Sequence, residues 1–201
     1  MMNNNRKNLF GAYWLWAVIL VTTLIIQLSG WGVDLRYDRD LISQGRYWLL
    51  FSGHFVHLNW SHWALNIAGL AIVAFFFSTY GLLWNWLIVI VICAFFVGFG
   101  LYWLHPNIGW YVGLSGVLHG LFIFGVSREI KVHPTSGYVL LILLVGKLIW
   151  EKLYGALPGS QEMAGGTVIT DAHLFGGIGG VISVVAIWAV LRLNEQILKA
   201  T

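Results

Sequence analysis

The stretch VGLSGVLHGLF, residues 112–122, places a serine among small residues and an imidazole four residues further on. A serine hydroxyl needs a neighbouring base to act as a nucleophile, and histidine is the usual base. His119 lies at i+4 from Ser115, on the same face of a predicted helix, and His173 lies far along the chain in DAHLFGG. Both histidines are therefore candidate bases for Ser115.

Acyl transfer also needs hydrogen-bond donors for the oxyanion that forms on the attacked carbonyl. Ser115 is predicted to begin a helix, where backbone N–H groups are free and the helix dipole is positive. His62 and Asn66, at i and i+4 in HLNWSHWALN, can add side-chain donors from one face of another helix. The chain thus contains candidates for a nucleophile, a base and the oxyanion donors.

The elements that must position these residues are membrane helices. Of the 201 residues, 59% are hydrophobic and only 9% are charged, where a soluble domain has about 25%. The 12 tryptophans suit a protein that is anchored at the interfaces of a lipid bilayer. The net charge of +3 is small and scattered, so no nucleic-acid partner is indicated. The composition predicts an all-α membrane protein with a single domain over residues 1–201.

Apolar runs predict where the helices lie, because a helix needs about 20 apolar residues to span a bilayer. The run after Arg6 and Lys7 is too long for a signal peptide, so we expect a retained helix there. Cys93 lies within another run and is expected to be a packing residue. The fourth and fifth segments are short for an upright crossing. The six predicted spans are about 9–29, 58–78, 82–104, 113–127, 137–154 and 171–192.

Lysine and arginine in the loops predict the orientation of the helices. With the N-terminus inside, the inner side carries more of these cations than the outer side, so both termini are expected in the cytoplasm. The second, fourth and sixth helices then begin in the outer leaflet. Their polar residues are expected to share one wet cavity that opens outward. The inner cations are Arg6, Lys7, Arg128, Lys131, Arg192 and Lys199, and the outer ones are Arg36, Arg39, Arg46 and Lys152.

Glycines predict which of these helices touch. Gly116 and Gly120 are four residues apart on the fourth predicted helix, and Gly176 and Gly180 are four apart on the sixth. Such small-xxx-small patterns let two membrane helices approach closely. A close approach of these two helices is what a direct hydrogen bond between the Ser115 hydroxyl and the His173 imidazole requires.

These motifs together resemble the rhomboid family of intramembrane serine proteases. GLSG resembles the family's G-x-S-G at the start of the fourth helix, AHLFG its A-H-x-x-G on the sixth, and HLNWSHWALN its H-x4-H-x3-N on the second. The resemblance covers most of the chain and implies a six-helix bundle that needs no cofactor. It also implies that Ser115 and His173 form a catalytic dyad. The positions that match the motifs are Gly113, Ser115 and Gly116; Ala172, His173 and Gly176; and His57, His62 and Asn66.

The chain departs from the family pattern at two positions. Leu49 follows Trp48 where members have an arginine that braces the first loop, and His119 replaces a tyrosine that packs under the catalytic imidazole. The GLSGVLHG string and the short length resemble the rhombosortase branch. That resemblance implies exported bacterial substrates with a C-terminal Gly-Gly, an apolar helix and a basic tail, cut at the periplasmic side of the inner membrane. Substrate entry is expected near the fifth helix and the loop at 155–170.

Three further histidines have more modest expected roles. His57 is expected to brace the first loop by hydrogen bonding. His54 has no place in the motif and is expected at the membrane interface. For His119, a packing or proton-relay role beneath His173 is the favoured interpretation, and the role of base stays open.

The charged residues near the predicted site are expected to stay outside the chemistry. Asp171 lies two residues before His173, so on a helix it points elsewhere, and we expect a solvated acid at the helix N-terminus. Lys147 and Glu151 are spaced i, i+4 and are expected to pair with each other near the outer surface.

Two other functions are compatible with the pattern. His54, His57 and His62 could ligate a transition metal or a haem, although their spacing on a helix is a weak signal for either. A rhomboid-like protein could also bind membrane helices without cutting them. The presence of both Ser115 and His173 argues against that second alternative.

Overall fold

The computed structural model describes residues 2–200, and it describes side chains for residues 12–198. The cations Arg6, Lys7 and Lys199, which contributed to the predicted orientation, lie outside the described side chains. Within the described range the chain is mostly helical, and it contains two short strands, β1 (Tyr37–Asp38) and β2 (Trp110–Tyr111). The helices are α1 Met2–Ser29, α2 Gly32–Leu35, α3 Arg39–Ser43, α4 Leu49–Ser52, α5 Trp60–Phe77, α6 Leu83–Leu104, α7 Ser115–Val132, α8 Pro134–Tyr154, α9 Ser160–Ala164 and α10 Thr170–Ala200.

Four of the helices in the described range are long and apolar enough to cross a membrane. They are α1, α5, α6 and α10, and they make the chain an integral membrane protein of the all-α class, as its composition predicts. The helices α7 and α8 have 18 and 21 residues, and each carries three charged residues.

The predicted ends of two helices are wrong. The helix α7 continues to Val132 instead of ending near residue 127, and α10 continues well past residue 192. Charged residues made the end of α7 resemble a loop, but the structure gives them partners. The Glu129 carboxylate accepts hydrogen bonds from the hydroxyls of Tyr80 and Ser136, each at 2.5 Å. The Glu129 carboxylate therefore has hydrogen-bond partners within the helical segment, and α7 continues past it.

The start of α7 is held by loops from two parts of the chain. β1 pairs antiparallel with β2, with Tyr37 opposite Tyr111. Just after β2, Gly113 donates its N–H to the Gly53 carbonyl at 3.1 Å. Gly113 has φ +124°, a left-handed conformation that glycine adopts without strain. This turn brings Ser115 to the first position of α7.

Contact between α7 and α10 depends on glycine, as the small-xxx-small pattern predicts. A Cβ built on Gly176 would collide with the carbonyl oxygen of Gly116. A Cβ on Gly180 would lie 2.6 Å from the carbonyl oxygen of Gly120. Each site thus has no room for a side chain, and the two backbones touch directly beneath the first turns of both helices.

An arginine of the first loop anchors that loop to the end of α6. Arg39 donates hydrogen bonds to the carbonyl oxygens of four residues at distances of 2.8 to 3.1 Å, and its guanidinium lies over the Tyr102 ring. A bracing arginine is therefore present, although it does not follow Trp48. The four carbonyls belong to Leu101, Tyr102, His105 and Ile108.

Below the starts of α7 and α10, the helices enclose an apolar core. Trp86 is fully buried and packs edge-on against Trp16 and Phe124, with ring centroids 5.1 and 4.9 Å apart. Cys93 is also fully buried, which confirms its predicted role as a packing residue. This core, which also contains Ile187 of α10, packs α6, α7 and α10 against one another below the polar residues.

Candidate active site

The first turns of α7 and α10 place a serine against a histidine. Ser115 Oγ and His173 Nε2 are 2.9 Å apart. Ser115 is half-buried and His173 is buried. The other ring nitrogen of His173, Nδ1, lies 2.9 Å from Glu151 Oε2. Because an ionised carboxylate can only accept, Nδ1 carries the proton and Nε2 offers its lone pair to the Ser115 hydroxyl.

The contact between Glu151 and His173 does not follow from the sequence pattern. The predicted pair between Lys147 and Glu151 is confirmed, with Nζ 2.7 Å from Oε1. The expected position near the surface is wrong for Glu151, whose side chain is only 4% exposed. An ionisable residue inside a membrane helix usually faces a functional interior, and this rule is the signal that could have pointed to Glu151.

His119 closes a ring of contacts that begins and ends at Ser115. Its Nδ1 lies 2.7 Å from the backbone oxygen of Ser115, and its Nε2 lies 2.9 Å from Lys147 Nζ. The carbonyl can only accept and the ammonium can only donate, so His119 is protonated at Nδ1. Its ring stacks on His173 with centroids 4.2 Å apart and planes at 17°. The lone pair of His119 therefore faces Lys147 and not the Ser115 hydroxyl.

Candidate donors for an oxyanion lie on the other side of Ser115. His62 Nδ1 accepts a hydrogen bond from the Leu58 N–H at 3.3 Å, so its Nε2 carries a proton. The Asn66 amide donates one N–H to the His62 carbonyl at 2.9 Å and has a second N–H to offer. A Cβ placed on Gly113 would lie 3.0 Å from His62 Nε2 and 3.9 Å from Ser115 Oγ. The absent side chain of Gly113 thus leaves a space that both groups border.

His57 and His54 both lie buried behind the first loop. His57 packs edge-on against His62 with ring centroids 5.3 Å apart. Burial, followed by the neighbouring His62, lowers the pKa of His57 to about 3, so the imidazole is neutral. His54 is buried and not interfacial, and its Nε2 lies 3.0 Å from the Ala94 carbonyl of α6. The position expected for His54 at the membrane interface is wrong, since its ring ties the loop to α6, and the bracing role of His57 stays a prediction.

Asp171 lies in the first turn of α10, as predicted, and it does not contact His173. Its carboxylate is 2.9 Å from Lys152 Nζ and 3.5 Å from His105 Nε2. The side chain is 24% exposed, so it is partly paired where full solvation was expected. The acid that contacts the imidazole comes from α8 and not from the neighbouring sequence.

Two cavities meet at Ser115. The first, of about 510 Å³, lies between α5, α7 and α8, and its walls are mostly apolar, with Leu65 and Leu143 on opposite sides. The second, of about 500 Å³, lies among the loops at the starts of α5, α7 and α10 and includes Gly165 and Gly166. His62 and Ser115 line both cavities. A polypeptide could therefore cross Ser115 with one part among apolar side chains and the other among loops.

One group of side chains could be mistaken for a metal site. Among the described residues, the one group of three potential metal ligands is His119, Glu151 and His173, whose donor atoms lie within 4.8 Å of one another. The Lys147 ammonium already binds two of them, at 2.9 and 2.7 Å. Because a cation occupies this space, the arrangement favours an internal hydrogen-bond network. Within the part of the chain that the structure describes, the predicted alternative set of His54, His57 and His62 does not form such a group.

The chain matches a family of known proteins. A family model described as the Rhomboid domain matches residues 44–190, a range that includes every side chain of the hydrogen-bonded ring. No curated protein matches the chain.

Proposed function

Because the chain belongs to the rhomboid family, whose members are intramembrane serine proteases, we propose that it is an active serine endopeptidase of the membrane. The single observation that carries the proposal is the 2.9 Å hydrogen bond between Ser115 Oγ and His173 Nε2. This pair has the geometry that a nucleophile and its base require. It lies where an apolar cavity and a loop-lined cavity meet, so a membrane-anchored polypeptide can reach it.

In the proposed reaction, Ser115 Oγ attacks a peptide carbonyl near the end of a substrate helix. His173 Nε2 takes the hydroxyl proton as the Oγ–C bond forms, and it donates that proton to the departing amine as the C–N bond breaks. Water entering through the loop-lined cavity then attacks the acyl-enzyme and gives up a proton to the same nitrogen. Collapse of the second intermediate returns the proton from His173 to Ser115 Oγ and releases a carboxylic acid, which ionises by losing its proton to water.

The oxyanion would be held in the space that Gly113 leaves open. The backbone N–H of Ser115 points from the free first turn of α7, where the positive end of the helix dipole also lies. The protonated Nε2 of His62 and the second N–H of Asn66 add two side-chain donors. The three residues that would supply these donors, His62, Asn66 and Ser115, all line the apolar cavity.

Replacing Gly113 by alanine is expected to lower kcat/KM about 100-fold or more, the usual cost of losing one oxyanion donor. The new Cβ would lie 3.0 Å from His62 Nε2, and φ +124° is strained for alanine. The same change at Gly146, an exposed position of α8 with open space around it, is the matched control and should keep the original rate. Cleavage rates and labelling of Ser115 by a fluorophosphonate measure the effect. Equal rates for the two variants would contradict this position for the oxyanion.

The proposal includes six membrane crossings with both termini in the cytoplasm. About 20 residues suffice for a crossing, so the lengths of α7 and α8 support it. The starts of α5, α7 and α10 meet at one end of the bundle. This is expected if these three helices run parallel and α6 and α8 run antiparallel between them. The site then opens to the periplasmic side of a bacterial inner membrane.

The proposed substrates are exported proteins that carry a C-terminal Gly-Gly, an apolar helix and a basic tail. This assignment rests on the likeness of GLSGVLHG to the rhombosortase branch. The apolar cavity between α5 and α8 supports it, because Leu65 and Leu143 provide a surface that suits an apolar helix. The scissile bond would then lie at Ser115, at the border between the helix and the exported domain.

Co-expression with a candidate substrate of this type tests the proposal. The unmodified chain should release a shorter product whose new C-terminus, read by mass spectrometry, lies near the Gly-Gly. Ser115→Ala should release none, and a substrate with an unrelated membrane helix should stay intact. Continued cleavage by Ser115→Ala would exclude this mechanism. An unlabelled Ser115 and an uncut substrate in the unmodified chain would instead favour a non-catalytic binder of membrane helices.

A further inference from the structure

We propose that Glu151 is a positioning residue of this site, so that Ser115, His173 and Glu151 work as a triad where a dyad was expected. The inference rests on the proposed serine protease function and extends it by one residue. Its basis is the 2.9 Å contact between His173 Nδ1 and Glu151 Oε2, which joins two buried side chains from different helices.

The contact fixes the form of the imidazole that the reaction needs. A carboxylate at Nδ1 selects the tautomer whose lone pair is on Nε2, and Nε2 is the nitrogen that faces Ser115 Oγ. It also holds the plane of the ring against rotation. When His173 takes the serine proton and becomes imidazolium, the same carboxylate lies next to the new positive charge and stabilises it.

Lys147 makes a buried carboxylate tolerable at this position. Removing a charged group from water is costly unless an opposite charge and hydrogen bonds replace the water. The ammonium of Lys147 lies 2.7 Å from Glu151 Oε1, so each carboxylate oxygen has its own donor. Lys147 is itself held by His119, whose ring stacks on His173. The charge of Glu151 is thus compensated without taking the carboxylate away from the imidazole.

The hydrogen bonds form a closed ring in which every donor is determined. The Ser115 hydroxyl donates to His173, His173 donates to Glu151, Lys147 donates to both Glu151 and His119, and His119 donates to the Ser115 carbonyl. No link in this ring has two donors or two acceptors facing each other. A simple ion pair between Lys147 and Glu151 would need only one of these five bonds.

Substitutions at Glu151 separate a positioning role from a structural one. We expect Glu151→Gln to lower kcat about 100-fold or more while KM stays within about twofold, because an amide can present its N–H to Nδ1 and favour the wrong tautomer. Glu151→Asp keeps the charge and should recover at least about tenfold of that loss. Glu195→Gln, at an exposed position near the far end of α10, is the matched control and should behave as the unmodified chain. A low-field proton resonance of His173 Nδ1–H should be present in the unmodified protein and absent from Glu151→Gln.

Melting temperatures in detergent, recorded for each variant, show whether a rate loss comes from unfolding. If Glu151→Gln does not fold, the double variant Lys147→Gln with Glu151→Gln removes both charges together and should show the same loss of kcat. If either folded variant keeps the kcat of the unmodified chain while Ser115→Ala is inactive, the triad is wrong and the proposed protease function still stands. An unmodified chain whose Ser115 neither cleaves nor reacts with a fluorophosphonate would overturn both.

Discussion

Replacing His173 by alanine is expected to reduce cleavage by about 10⁴-fold or more, to the level of Ser115→Ala. His173 Nε2 is the nitrogen that lies 2.9 Å from the Ser115 hydroxyl, and no other imidazole among the described residues hydrogen-bonds to this oxygen. Without it, the hydroxyl keeps its proton and the departing amine receives none. Labelling of Ser115 by a fluorophosphonate should fall in parallel, because that reaction uses the same base.

His119→Ala is the matched comparison for this loss, because it removes the other imidazole of the site. We expect only about a tenfold decrease, since the lone pair of His119 faces Lys147 and its N–H faces a backbone oxygen. The decrease comes from the lost stacking on His173 and from a less restrained Lys147. If His119→Ala were inert and His173→Ala active, the base would lie on α7, and the role assigned to α10 would be wrong.

Gly176→Val is expected to leave little folded protein in the membrane. A Cβ at this position collides with the backbone oxygen of Gly116, which cannot move aside as a flexible side chain would. Overpacking a core costs about 1 to 3 kcal/mol where side chains can adjust, and more is expected where two backbones must separate. The two helices that separate are α7 and α10, which carry Ser115 and His173. Size-exclusion profiles and thermal melting in detergent measure the outcome.

Gly146→Val is the control for this loss of fold. It introduces the same side chain into a membrane helix, at an exposed position of α8 with nothing within 4 Å of the new Cβ. It should melt close to the unmodified protein. A melting temperature for Gly176→Val equal to that of the control would mean that α7 and α10 are not in backbone contact.

The meeting of distant residues could be predicted because helix direction alternates in a membrane bundle. Ser115 and His173 each lie in the first turn of a long helix, and the glycines one turn below favour close packing of those helices. These two features suffice to predict a hydrogen bond between residues 58 positions apart. The catalytic roles of the pair, and those of His62 and Asn66, stay predictions that the variants above test.

Glu151 could not be assigned in the same way, because a nearer partner explained it. Its spacing from Lys147 satisfies the rule for pairs on one helix, and that pair does form. The rule says nothing about a second contact across to α10. Only the depth and rotation of α8 decide that, and neither follows from a segment with charges at one end.

Loop contacts were the least predictable part. Arg39 binds backbone carbonyls, and every residue has one, so the sequence does not indicate which carbonyls Arg39 contacts. His57 has a polar side chain, yet it is buried and packs edge-on against the His62 ring. In both cases tertiary packing outweighed what residue type alone suggested.

The helix α8 forms one wall of the apolar cavity and also carries Glu151. An outward tilt of α8 that lets a polypeptide enter from the lipid therefore breaks the contact between Glu151 and His173, which is only 2.9 Å long. In the proposed protease, a substrate would then enter while the contact is broken and react after it has re-formed, so we expect turnover to depend on how fast α8 returns. Bilayers of different lateral pressure should for that reason set different cleavage rates for the same chain.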